Sequence, residues 1–176
     1  MQSLELIKPT LAYKQAFQEL VWDYIKNKET LYMNLYTDAL EDFEGYVHAL
    51  NDQEKGRNIP KGWVPSSTYW LTSNSSDKRI IYGNLRIRHT RVEDCGHIGY
   101  DIRPSQRGQG MGYKILELGL EKAKSIGLSN VFITCNSQNE SSIKVVLRNG
   151  GLYQRTFIDS EMYEERHEYL VILDQN

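Results

Sequence analysis

The stretch Arg103-Pro104-Ser105-Gln106-Arg107-Gly108-Gln109-Gly110-Met111-Gly112 constrains the chain more than any other. His97-Ile98-Gly99-Tyr100-Asp101-Ile102 before it reads as a strand, and Tyr113-Lys114-Ile115-Leu116-Glu117-Leu118 after it reads as a helix. A strand, a glycine-rich turn and a helix N-terminus therefore follow one another. The first amides of a helix lack partners within it, and its dipole is positive at that end. Such a place suits a phosphate or pyrophosphate. Gly108, Gly110 and Gly112 remove side chains that would hold an anion off the backbone, and Arg107 adds a cation at the mouth.

Three phosphate-binding patterns compete. A P-loop places lysine directly after its last glycine, whereas Tyr113 follows Gly112 here. A dinucleotide fingerprint ends on a third small residue, and Tyr113 stands there. The pattern that remains, Arg107-x-x-Gly110-x-Gly112, resembles the acetyl-CoA pyrophosphate signature of the GCN5-related N-acetyltransferases (GNAT family). Asn139-x-x-Ser142 followed by Asn149-Gly150-Gly151 resembles that family's second block. Gly96 to Ser105, with Arg88-His89 upstream and Val64-Pro65 before Trp70, looks like one predicted branch of unknown substrate.

The 176 residues suggest a single domain, 1–176, able to bury a core without disulfides. A net charge of −2 argues against general nucleic-acid binding. Cys95 and Cys135 lie far apart, as expected of reduced thiols in a cytoplasmic protein. No apolar run approaches the roughly 20 residues of a membrane span, and Met1-Gln2-Ser3-Leu4-Glu5 lacks the basic and apolar regions of a signal peptide.

Taken in order, Leu4 to Ile7 reads as a strand, and Thr10 is a candidate cap for a helix from Leu11 to Lys28. A second helical region is predicted from Asp38 to Gln53, then a loop from Glu54 to Pro65. Thr68–Thr72 and Arg79–His89 form a hairpin across a polar turn, Ser73 to Asp77. The strand His97–Arg103 leads into the helix Gly110–Ser125, whose Ile115, Leu116, Gly119 and Ala123 share one face, with Gly127 as its stop. Val131–Cys135 is a buried-type strand, parallel to the previous one because a helix connects them. A helix from Asn139 to Arg148 and the strands Leu152–Ile158 and His167–Leu173 complete the chain.

The resemblance implies an α/β fold: a mixed, twisted sheet of about seven strands with four helices, splayed between the strands at His97 and Val131. It implies acetyl-CoA as co-substrate, its pantetheine arm in that gap against backbone groups of Tyr100 and Ile102. Amides of Arg107, Gly108, Gln109, Gly110, Met111 and Gly112 would cradle the pyrophosphate, and Asn139 and Ser142 would reach the arm from the opposite helix. The implied activity is acetyl transfer to a primary amine by direct attack in a ternary complex. The partners are acetyl-CoA and the amine, with no metal, nucleic acid or membrane, and a homodimer is among the allowed assemblies. Many family members carry a tyrosine as general acid where this chain has Val146. That departure keeps a second reading open, a non-catalytic acyl-CoA sensor or interaction module, and leaves Tyr153 or water for the acid role.

A neutral amine needs a base, and a histidine near neutral pKa suits the role. His97, on the strand beside the gap, is the first candidate, and a satisfied histidine at a strand end is the alternative. His89, Glu93 and Asp94 follow. Asp159, Glu161, Glu164 and Glu165 read as a solvated hairpin that could also attract a cationic amine. Trp63, Tyr69 and Trp70 are candidates for an acceptor pocket or for packing, and Cys135 belongs in the core.

Overall fold

The computed structural model describes residues 3–73 and 79–173. Met1, Gln2 and nearly all of the polar turn expected over Ser73–Asp77 lie outside them. Seven strands form one sheet: β1 (Leu4–Ile7), β2 (Ser66–Ser73), β3 (Ile81–Val92), β4 (Gly96–Ile102), β5 (Asn130–Asn136), β6 (Leu152–Ile158) and β7 (Glu165–Ile172). Their spatial order is β1-β2-β3-β4-β5-β7-β6. Every neighbouring pair is antiparallel except β4 and β5, which are parallel.

Six helices cover the sheet among the described residues, rather than four: α1 (Lys14–Lys26), α2 (Thr30–Tyr36), α3 (Asp38–Glu41), α4 (Phe43–Glu54), α5 (Met111–Ser125) and α6 (Glu140–Arg148). The expected helix over Asp38–Gln53 is broken at Asp42, whose carboxylate accepts the Gly45 amide at 2.8 Å and so caps α4. Thr10 makes no side-chain cap; a short 3-10 turn, Leu11–Tyr13, leads into α1 instead. Helix α2 has no counterpart in the sequence reading. Its aliphatic residues Leu31 and Leu35 point outward while Tyr36 is buried, so no apolar stripe marks it.

The sheet separates two cores. On one face α5 packs over β3 and β4, and its Ile115, Leu116, Gly119 and Ala123 are buried. A Cβ on Gly119 would lie 2.5 Å from Leu85 Cδ1, so the absent side chain is what lets α5 sit this low. On the other face Phe17, Tyr24, Tyr36, Phe43 and Trp70 form a largely aromatic core beneath α1 to α4.

Candidate active site

Strands β4 and β5 pair only briefly. Gly96 and Ile98 both stand opposite Ile133, and beyond Ile98 the two strands have no register in common. At the last point of contact the Phe132 amide donates to His97 Nδ1 at 3.1 Å, with the two rings stacked. The Arg103 amide donates to the Tyr82 carbonyl of β3 at 3.0 Å. By strand alternation, the backbone groups of Tyr100 and Ile102 turn the other way, into the gap.

The gap ends at the glycine loop. Gly108 (φ 74°) and Gly110 (φ 82°) are in the left-handed region, and a Cβ at either would meet no atom within 4 Å. Glycine is there for conformation and for free approach from outside, since α5 begins at Met111. Gly112 has a different reason: a Cβ would press on Val145 of α6 at 3.2 Å. Arg107 does not leave a free cation at the mouth. Its two terminal nitrogens bind the Glu29 carboxylate at 2.6 and 2.8 Å, and its Nε donates to the Ile102 carbonyl at 2.8 Å. Asn139 caps α6, its Oδ1 accepting the Ser142 amide at 3.0 Å. Ser142 Oγ lies 3.1 Å from the Tyr100 hydroxyl, a bridge from β4 to α6.

A cleft of about 220 Å³ opens on the other face of β4. Its floor is Gly99 and Asp101 of β4 with Asn84, Arg86 and Arg88 of β3; its walls are Tyr32 and Tyr36 of α2 and Tyr46 of α4. Asp101 is only 7% exposed, and its two carboxylate oxygens accept hydrogen bonds from the Tyr24 and Tyr36 hydroxyls. Burial pushes its carboxyl up, and those hydroxyls and the Asn84 amide oppose the shift, leaving it at about 6. Burial first, and then the Asp101 charge, raises Tyr36 far above the ordinary phenol. Both tyrosines therefore remain donors.

The residues named from the sequence are placed as follows. His97 does not line the cleft, and its Nδ1 is taken by Phe132, so in the neutral ring Nε2 carries the proton. Burial, then Arg91 and Arg88, depress its pKa. His89 Nε2 is 2.9 Å from Ser67 Oγ, which donates to Glu54. Asp94 accepts from Ser160, and Asp159 accepts the Glu161 and Met162 amides, which makes the acidic connection a built turn. Trp70 is fully buried, Tyr69 is core, and Trp63 is exposed; none reaches the cleft. Tyr153 is exposed and exchanges its hydroxyl hydrogen bond with Thr156. Val146 is fully buried, and Cys135 is a core thiol raised chiefly by burial.

The sequence reading missed Asp101, Asn84 and the tyrosine walls as site residues. A signal existed in β3, where Asn84, Arg86 and Arg88 put polar groups on one face of a strand whose Leu85 and Ile87 are core.

The acetyltransferase (GNAT) domain family matches residues 14–151. The chain belongs to the GNAT acetyltransferase family. Among solved structures it resembles the microcin C7 self-immunity acetyltransferase MccE in complex with acetyl-CoA and AMP, at 14% identity and a TM-score of 0.73, over 97% of this chain and 92% of that one. RimL, a ribosomal L7/L12 α-N-protein acetyltransferase in complex with coenzyme A, matches at 18% identity and TM-score 0.73, over 99% and 96%. An acetyltransferase from Salmonella typhimurium that modifies the N-terminal serine of ribosomal protein L7/L12 matches at 17% and 0.68, over 99% and 97%. No curated protein sequence matches. At these identities the likeness is one of fold.

Proposed function

We propose that the protein is an acetyl-CoA-dependent N-acetyltransferase acting on a primary amine by direct attack in a ternary complex. One observation carries this reading: β4 borders both the gap that leads to the glycine loop and, through Tyr100, Gly99 and Asp101, a cleft floored by a buried carboxylate. Family membership and neighbours bound to acetyl-CoA or coenzyme A support the cofactor. The pyrophosphate rests on amides of Arg107 to Gly112. The arm pairs with backbone groups of Tyr100 and Ile102, near Asn139 and Ser142.

The amine enters from the tyrosine-walled side. We assign the proton-accepting role to Asp101, directly or through one water. Beyond the two tyrosine hydroxyls and the Asn84 backbone amide its carboxylate keeps one lone pair, and at pH 7 a group titrating near 6 is mostly ionised. His97 was the candidate from the sequence. Its lone pair already holds Phe132, so we give it the role of fixing β5 at the point of divergence. Tyr100, hydrogen-bonded to Ser142 at the gap, is the hydroxyl best placed to protonate the departing thiolate in place of a tyrosine at Val146.

The test is thiol release from acetyl-CoA with a panel of amino acids, polyamines, aminoglycosides and peptides. Enzyme-dependent release with one class, abolished by Asp101→Asn, is expected. Silence across the whole panel, with acetyl-CoA still bound, would overturn the enzymatic reading in favour of a sensor.

A further inference from the structure

Five arginines of this protein sit on carboxylates: Arg91 and Arg155 on Glu168, Arg103 on Asp23, Arg107 on Glu29 and Arg166 on Asp159. The two that line the cleft do not. Among the described residues the Arg86 side chain has no hydrogen bond and no ion pair, and the Arg88 side chain has one long bond, to the Cys95 carbonyl at 3.4 Å. Both are half-buried, on one face of β3 two residues apart. Burial lowers the Arg88 guanidinium first, the Cys95 thiol opposes that, and the charges of Arg86 and Arg166 add to the lowering. The one carboxylate lining the cleft, Asp101, is engaged by Tyr24 and Tyr36.

The surroundings of these two cations are shaped for an occupant. Arg86 stands between Thr68 of β2 and Gly99 of β4. A Cβ on Gly99 would meet nothing within 4 Å, so the space beside Arg86 is open. Asn84 is 5% exposed and Thr68 6%, and the Asn84 Nδ2 and Oδ1 and the Thr68 Oγ1 have no hydrogen-bond partner. Buried polar groups are ordinarily paired, and a half-buried guanidinium is ordinarily matched by an anion. Here both kinds of group face the same cleft and lack partners.

We propose that the acceptor is a small amine that also carries an anionic group, carboxylate or phosphate, which Arg86 and Arg88 bind while the amine lies at Asp101. Asn84 and Thr68 supply the hydrogen bonds between the two ends. Arg86 is aligned with Gly99, two residues before Asp101 on the strand, or about 7 Å. A spacer of a few atoms between nitrogen and anion spans that distance. The inference rests on the acetyltransferase reading and narrows its substrate class.

Two matched pairs test it: O-phosphoethanolamine against ethanolamine, and 4-aminobutyrate against butylamine, with acetyl-CoA saturating. The anionic member of at least one pair is expected to have the higher kcat/KM by about 10-fold or more. Arg86→Gln should cut that preference about 10- to 100-fold, with Arg86→Lys retaining part of it because the charge survives. The variants' circular dichroism and acetyl-CoA affinity report whether they are folded. Equal or better use of both neutral amines, or an unchanged preference in Arg86→Gln, overturns the proposal while leaving the acetyltransferase reading intact. Should none of these four amines be acetylated, the wider panel decides the enzymatic reading. Calorimetric titration of O-phosphoethanolamine and 4-aminobutyrate into the coenzyme A complex then decides. Binding weakened by Arg86→Gln supports the anion seat; binding that is absent or insensitive to Arg86 overturns it.

Discussion

The two sides of β4 are built by opposite means. Toward β5 the site is backbone: the groups of Tyr100 and the Ile102 amide that β5 does not pair, left-handed glycines, and the free amides at the start of α5. Toward α2 and α4 it is side chain: a buried carboxylate, three tyrosines, an asparagine and two arginines. A backbone site accepts many sequences but no change of backbone shape. A side-chain site tolerates shifts of backbone but is specific to each functional group. On the proposed reading the backbone side suits one constant ligand, acetyl-CoA, and the cleft a selected amine.

The largest effect expected from this contrast is loss of acetyl-CoA binding in Gly110→Glu. The substitution adds strain at φ 82° and sets a negative charge where phosphates approach. Calorimetry should show at least roughly 100-fold weaker binding with the far-ultraviolet spectrum unchanged; near-normal affinity would put the phosphates elsewhere. The companion variant Arg107→Gln should weaken acetyl-CoA less, by about 3- to 10-fold, through loss of the Glu29 and Ile102 contacts that hold the loop rather than of a phosphate contact.

On the cleft side, Asp101→Asn should lower kcat by about 10²–10⁴-fold and leave acetyl-CoA affinity nearly unchanged. The wild-type acidic limb, with an apparent pKa of about 6, should vanish from the variant's pH–rate profile. Stability should move the other way. Asp101 titrates near 6 when folded and near 3.8 when unfolded, so ionising it opposes folding above pH 6. The amide variant should be more stable than wild type at pH 7.5, by an order of magnitude of 1–3 kcal/mol. That advantage should shrink as pH falls through 6 toward 4. Chemical denaturation at several pH values checks the sign.

His97→Gln separates the two sides further. If the ring serves β5, the variant loses about 1–3 kcal/mol through the orphaned Phe132 amide and keeps kcat within several-fold. A kcat loss of about 10²-fold or more at unchanged stability, with the acidic limb gone, would return the base to His97. Tyr100→Phe should lower kcat by about 10-fold, most with amines whose rate is limited by thiolate departure.

This asymmetry also governs how much could be read from sequence. The glycine loop is local: ten consecutive residues carry the strand end, the turn and the helix start, and their spacing is the chemistry. The succession of strands along the chain, the parallel pair and the apolar face of α5 with Gly119 on it followed from the same kind of local pattern. The cleft is assembled from Tyr32, Tyr36, Tyr46, Asn84, Arg86 and Asp101, which are distant in the chain. No spacing rule connects them. Helix α2 was invisible because its tyrosines face inward and its leucines outward. His97 drew attention as an ionisable residue on the right strand, yet the irregular register at Gly96–Ile98 turns its ring onto the Phe132 amide. Asp101 was legible only as a charged residue in a strand, and its burial depends on tyrosines contributed by two helices.

The carboxylates that anchor the glycine loop belong to the segment that precedes the acceptor walls. Asp23, at the end of α1, binds Arg103 Nε at 3.0 Å and the Ser105 amide at 3.2 Å; burial alone would raise its carboxyl, but the Ser105 and Arg103 hydrogen bonds hold it below the usual range. Glu29, directly before α2, holds Arg107. A chimaera that exchanged α1 and α2 to recruit a different amine would therefore unclamp the cofactor loop unless Asp23 and Glu29 were transplanted too. Diversification of the acceptor side is open at Leu35, an exposed residue at the cleft, but tethered at those two acids.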